Sequence, residues 1–403
     1  MTEGTCTAAA LLSGLVWMVL CGRSLADDLK PLYGRPNRDA DDREVPRPHA
    51  LIWRNPESRR EAQCDNAHSD GDERMFCMSG RSTHSRRARS LWIALLSCLC
   101  ALVPLGAGAG TDVIVLNSED DSISLIDPRT YAEVGRTPIG REPHHLMPTP
   151  DRCDLLIANA IGNELVVVDP HTGAIRRRLP GIPDPYQLAF SPDGRWLVTA
   201  GLRLNRIDIY ETDGLRPVKR LPVDAMPSHI AFAPDSQLAF VTLQSTEKIA
   251  AVDLSTQTIA WTLPVGKLPA GALITPDGGR LLVGIMGEDD VAVVDWRERR
   301  VVKRIKTGRG AHNLFLSDRP HRALVTNRLA DTISVIDLGK LEKVEDFAVP
   351  GGPDDLVYSP DRSEIWVTAR WRRQVVVLDT VTHAIKRTIR VGRSPHGIFF
   401  AAD

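Results

Sequence analysis

Residues 185–194 read Pro185-Tyr186-Gln187-Leu188-Ala189-Phe190-Ser191-Pro192-Asp193-Gly194, a short apolar run followed by a turn. Related phrases recur along the 403-residue chain, and their second position steps through His144, Tyr186, Ser228, Ala270, His312, Asp354 and His396. Each number is the previous one plus 42. A second column keeps the same step: Asp127, Asp169, Glu211, Asp253, Asp295, Asp337 and Asp379. A period this regular excludes an ordinary single-core enzyme fold. It calls for one supersecondary unit stacked repeatedly, and about 40–45 residues is the size of a four-stranded propeller blade.

The unit from 186 to 227 holds four strand-like runs: Gln187–Phe190, Trp196–Ala200, Arg206–Tyr210 and Val218–Val223. They are rich in branched apolar residues and bounded by Gly, Pro and Asp turns, as strands are. No window keeps a 3.6-residue apolar period, so no helix is expected in the repeat region. The aspartate column ends the third run of nearly every unit. There an Asx side chain bonds backbone N–H groups ahead of it and fixes a hairpin, a structural task rather than a chemical one.

The first unit opens with second, third and fourth strands: Val113–Leu116, Ile123–Asp127 and Val134–Ile139. The chain ends on a first strand, Gly397–Phe400. Pairing that last strand with the first blade closes the ring and removes exposed sheet edges. The expected fold is therefore all-β: a seven-bladed β-propeller of four-stranded antiparallel blades over 112–403.

Several phrases carry a family resemblance. Leu324-Val325-Thr326-Asn327, Trp366-Val367-Thr368-Ala369 and Ile333-Ser334-Val335-Ile336-Asp337, together with the 185–194 stretch, make the chain similar to the YVTN-repeat family of bacterial β-propellers. The resemblance covers 112–403. It implies the fold and leaves function open, because fold alone does not assign one.

Before the repeats, residues 78–109 read as a signal peptide: Arg81, Arg86, Arg87 and Arg89, then apolar Leu91–Leu105, then Ala107-Gly108-Ala109. Export to the periplasm or outside follows, with no integral membrane domain after cleavage. The alternative is an anchor through 91–110. Residues 1–77 are polar over most of their length and are expected to be disordered, or to come from an over-called start codon. Six of the seven cysteines precede the cleavage site. Cys153 is thus expected to be the single, incidental cysteine of the exported chain, with no internal disulfide and no haem-attachment motif. The formal net charge of −1 gives no reason to expect nucleic acid.

The functional signal is histidine. The propeller region has eight, and five of them (His144, His145, His229, His312, His396) fall in the 42-step column or the position after it. In a propeller those positions open the innermost strands, at the channel mouth. His312, Asp354, Asp355, His396, His144 and His145 fall on one contiguous arc. Imidazoles with a carboxylate can bind a transition metal, and a single imidazole can ligate haem iron. The metal set expected here is His144, His312 and His396. Arg141, Arg393, Arg370, Arg372 and Trp371 complete the candidate ligand-binding residues, and Ala270-Gly271 leaves room opposite them. These features are also similar in part to cytochrome-d1-type haem propellers, which use a channel-mouth histidine on iron. That resemblance implies a redox or haem accessory role as the alternative. Gly140-Arg141-Glu142-Pro143-His144-His145 approaches a phrase of lactonase-type propellers, which implies a hydrolase as the second alternative. The favoured reading is an exported, non-catalytic binding or scaffold protein whose channel mouth holds a small ligand, a metal or a protein partner.

Overall fold

The computed structural model describes residues 113–401, Ala225 excepted. The segments read as a signal peptide and an N-terminal extension, with their cysteines, lie outside the described residues.

Seven antiparallel sheets of four strands follow one another in sequence. Blade 2 runs Pro143–Pro148, Leu155–Asn159, Glu164–Val168 and Ile175–Pro180, from the innermost strand outward. Blades 3 to 7 repeat that order, their inner strands being Gln187–Phe190, Pro227–Phe232, Pro269–Ile274, Ala311–Leu316 and Pro353–Tyr358. Blade 1 is assembled from both ends of the repeat region. Pro395–Phe400 is its inner strand and pairs with Val113–Asn117, Phe400 opposite Val113. The closure expected from the strand count is the one observed.

The core lies between sheets. Each neighbouring pair of blades shares one apolar cluster, and the seven clusters close the circle. Ile114, Leu116, Ile157 and Val166 join blades 1 and 2. Val113, Val115, Trp366, Val377 and Phe400 join blades 7 and 1. That last joint also has a polar clasp. Glu364 of blade 7 accepts bonds from Tyr131 Oη of blade 1 at 2.6 Å and from Trp366 Nε1 at 3.0 Å. Tyr131 stacks on Trp366 with ring centroids 5.8 Å apart.

The aspartate column does what its position suggests. Asp169 Oδ1 accepts from the N–H of His171 and of Thr172, at 2.9 and 2.8 Å. Asp253, Asp337 and Asp379 repeat the pattern on their own turns. Glu211, the one glutamate of the column, pairs instead with Arg216.

Two local details add to this picture. Three single turns of 3-10 helix occur at Asp213–Leu215, Gln244–Thr246 and Arg370–Arg372. They are shorter than any periodicity can register. Cys153 is disulfide-bonded in the 403-residue chain, and every other cysteine of that chain lies outside the described residues. Among the described residues no helix is long and apolar enough to cross a membrane.

Candidate metal centre at the propeller hub

Six of the seven inner strands carry a bulge at the column positions. In blade 4, Pro227 faces Leu243 and Ile230 faces Val241, so Ser228 and His229 together oppose Thr242 alone. The same two-against-one pairing sets Ala270-Gly271 against Gly284, His312-Asn313 against Thr326, Asp354-Asp355 against Thr368 and His396-Gly397 against Leu116. In blade 2 the extra residue falls between Pro143 and His145. A bulge breaks the alternation of faces and re-aims side chains. It also frees backbone donors, and threonines on the second strand take them up. Thr242 Oγ1 accepts from His229 N–H at 3.0 Å, Thr326 Oγ1 from Asn313 N–H at 3.1 Å, and Thr368 Oγ1 from Asp355 N–H at 3.0 Å.

The bulges deliver five histidines to one place. His144, His145, His229, His312 and His396 are all buried. His144 lies between Tyr186 and His396, with ring centroids 3.9 and 3.8 Å away. His145 is 4.6 Å from His396 and 5.5 Å from His229 by the same measure. His229 and His312 are 5.1 Å apart. The ring nitrogens of His144, His145 and His396 converge, with one ligand atom of each within 4.8 Å of the others. Histidines on a tetrahedral zinc ion hold their ligating nitrogens about 3.3 Å apart, given metal–nitrogen bonds of about 2.0–2.1 Å. The rings would have to draw together around an ion to reach that spacing.

Asp354 organises one side of this group. Its carboxylate receives Arg328 Nε at 2.9 Å and Arg370 Nη1 at 3.0 Å. Its Oδ1 lies 3.1 Å from His312 Nδ1, and its Oδ2 lies 3.5 Å from His396 Nε2. Neither approach is an aligned hydrogen bond. Burial works to raise the Asp354 pKa, but the charges of Arg328 and Arg370 and the hydrogen bond from Arg328 outweigh it and keep the carboxyl ionised. The adjacent Asp355 goes the other way. Burial, then the charge of Asp354, pushes it up to about 8. Burial pushes His145 down to about 3 and holds His144, His229, His312 and His396 well below the ordinary imidazole value, so the five rings are neutral near pH 7. Neutral imidazole is the form that ligates metals.

The hub leaves many of its nitrogens without partners: Nδ1 of His144, Nε2 of His145 and of His229, and both ring nitrogens of His312 and His396. Buried polar groups are almost always bonded, and one left unmade costs about 1–3 kcal/mol. So dense a group of unpartnered donors and acceptors fits a bound ion.

The candidate residues read from sequence separate into two groups. His144, His145, His229, His312, Asp354, Arg370 and His396 meet at the hub, with Asp355 half-buried beside them. Arg141, Arg393, Trp371 and Arg372 are exposed on surrounding loops. Arg393 is bound to Asp120 there, and Trp371 and Arg372 lie over the loop glycines Gly352 and Gly351. The three converging imidazoles include His145 in place of the expected His312, which sits against Asp354. Ala270-Gly271 does not leave ligand space. A Cβ on Gly271 would lie 2.6 Å from the carbonyl oxygen of His312, and one on Gly284 2.5 Å from the same atom. The small residues admit the neighbouring strand's backbone. Arg328 and Tyr186 join the hub although the site reading did not single them out. Their signal was the register: Arg328 and Arg370 are 42 residues apart, and Tyr186 is in the histidine column. Two surface concavities of about 240 and 130 Å³ open near the outer strand of blade 3, and no hub residue lines either.

Blade count, closure and hub define a seven-bladed propeller with a polar centre. The chain belongs to the YNCE-like β-propeller family, whose model matches residues 88–403. The resemblance read from the repeat motifs is thereby borne out. No curated protein matches the chain. Among solved structures it is similar to a functionally unknown protein from Desulfotomaculum acetoxidans, at 14% identity and TM-score 0.63, over 72% of this chain and 99% of that one. It is also similar to the dihydro-heme d1 dehydrogenase NirN in complex with DHE, at 16% identity and TM-score 0.57, over 75% of this chain and 78% of that one. A third is a protein from Bacteroides fragilis described as a candidate 6-phosphogluconolactonase, at 16% identity and TM-score 0.61, over 74% of this chain and all of that one. At these identities the likeness concerns the fold.

Proposed function

We propose that the protein is an exported, non-catalytic β-propeller that binds a late first-row transition metal at its hub, through His144, His145 and His396. The observation that carries this reading is the convergence of three buried, neutral imidazoles with unpartnered nitrogens. A set of imidazoles without thiolate suits zinc, copper or nickel, and Asp354 beside His396 is the outer carboxylate that metal-bound histidines usually have. Export rests on the signal-peptide pattern of residues 78–109. The haem alternative is weaker on geometry. A macrocycle needs open space in front of its axial nitrogen, whereas His144 is buried with the His396 and His145 rings 3.8 and 4.9 Å away. The hydrolase alternative has one hydroxyl beside an imidazole, Ser228 Oγ at 3.1 Å from His229 Nδ1, but that hydroxyl is fully buried and shared with Thr242 Oγ1 at 2.9 Å.

The test is a zinc titration of chelator-stripped protein, followed by equilibrium dialysis and elemental analysis. Retained zinc that falls at least tenfold in affinity in a His144→Ala, His396→Ala variant is the expected result. Wild-type protein that retains no zinc, copper or nickel overturns the reading, and a visible band on adding haem would promote the alternative.

A further inference from the structure

One ion uses three of the hub's imidazoles and leaves His229 and His312 unexplained. Both are buried, and their rings are 5.1 Å apart. Each has one nitrogen already directed at a neighbour. His229 Nδ1 meets Ser228 Oγ at 3.1 Å, and His312 Nδ1 faces Asp354 Oδ1 at 3.1 Å. The remaining nitrogen, Nε2, is without a partner in both. A metal-bound histidine is held in a similar way, with an oxygen behind one nitrogen and the other left for the ion; at His229 that oxygen is hydrogen-bonded, and at His312 it stands at ion-pair distance without an aligned hydrogen bond. The arrangement at His396 is analogous, with Nε2 toward Asp354 Oδ2 and Nδ1 unpartnered. Asp354 therefore stands behind one histidine of each group, with one oxygen for each.

We propose that the hub holds two metal ions, the second between His229 and His312, with the Asp354 carboxylate orienting a ligand of both. The proposal rests on the reading of the first site. Its support is the burial accounting: a single ion at His144, His145 and His396 would leave Nε2 of His229 and of His312 unsatisfied, each at a cost of about 1–3 kcal/mol. Two protein ligands leave the second ion open positions for solvent or a small anion, and His145, 5.5 Å from His229, stands between the two groups. Paired ions in one pocket form the type of centre that clamps an oxygen ligand between metals.

The experiment measures bound copper per chain. Stripped protein is loaded with copper(II) chloride, passed over a chelating resin and analysed for copper and protein. Spins are counted by electron paramagnetic resonance on the same sample, because two nearby copper(II) ions couple and lose signal. Two equivalents in the wild type, with fewer spins than copper, are expected. His229→Ala, His312→Ala is expected to hold one equivalent, with its full spin count restored, and so is the milder His229→Gln. His144→Ala, His396→Ala also falls to one. One equivalent in the wild type that is unchanged by the 229 and 312 substitutions overturns the second ion and leaves the first site standing. Two equivalents that persist in those variants also overturn it, by placing the second ion elsewhere. No copper in the wild type removes both readings. A wild-type count of one overturns the second ion even if a variant fails to fold, and the milder His229→Gln locates it when the count is two.

Discussion

Two columns run through this chain at the same 42-residue step, and the structure treats them in opposite ways. The aspartate column, Asp127 to Asp379, is nearly uniform in sequence, lies on the outer hairpins and has its oxygens bonded to its own turn. The hub column, His144 to His396, changes identity from blade to blade, is buried, and leaves many of its ring nitrogens unbonded. In a repeat protein, a position repeated with one residue type answers a demand made by every repeat. A position repeated with different polar residues, at the point where all repeats meet, answers a demand made once by the whole ring.

That contrast can be strained experimentally, and acid should strain it hardest. The five hub histidines have folded pKa values held below the unfolded value of about 6.5, so the unfolded chain binds more protons below that pH. Stability is complete above about pH 6.5 and falls as pH drops through it, by about 1.4 kcal/mol per pH unit for each histidine. Because the slope builds up only as the unfolded histidines become protonated, five such groups remove at most about 5 kcal/mol between pH 6.5 and 5.5. Urea midpoints of metal-free protein across this range would show it, and a flat profile would mean that the rings are not buried and neutral. Next in size is Asp354→Ala, which strips the carboxylate from beside Arg328 and Arg370. Breaking a buried pair in this way costs about 3–5 kcal/mol, read as a shift in the urea midpoint. Thr326→Val is expected to cost about 1–3 kcal/mol by the same assay, because the bulge N–H of Asn313 loses its acceptor and the Asp354 carbonyl loses its donor, 3.1 Å away. Asp253→Ala should be the mildest, about 1 kcal/mol for a solvated Asx turn, with unchanged metal content. If Asp253→Ala proved costlier than Asp354→Ala, the distinction between the columns would collapse.

The fold was legible because period and strand composition are local properties, and the closing strand could be found by counting strand types. The histidine concentration was legible for the same reason. What escaped the reading depends on partners across a sheet or between blades. Alternation along a strand sends His144 and His145 to opposite faces, and only the bulge opposite Ala158 brings both to the hub. This is why a set drawn from one column took His312 and passed over His145. Gly271 read as open space because the strand that fills it belongs to the next repeat. The exposed Arg141, Arg393, Trp371 and Arg372 were grouped with the hub because a sequence places residues by loop and not by depth.

Ring closure has a consequence for the order of events during synthesis. His396 sits on Pro395–Phe400, the strand of the ring synthesised after the other blades and the one that zips onto Val113–Asn117. The converging triad is therefore incomplete in every shorter chain, however well its earlier blades have formed. A polypeptide that stops before the final strand, or fails to dock it, keeps His144 and His145 but lacks the third ligand. Metal retention would then report that the circle has been finished, so that possession of the ion certifies a closed ring.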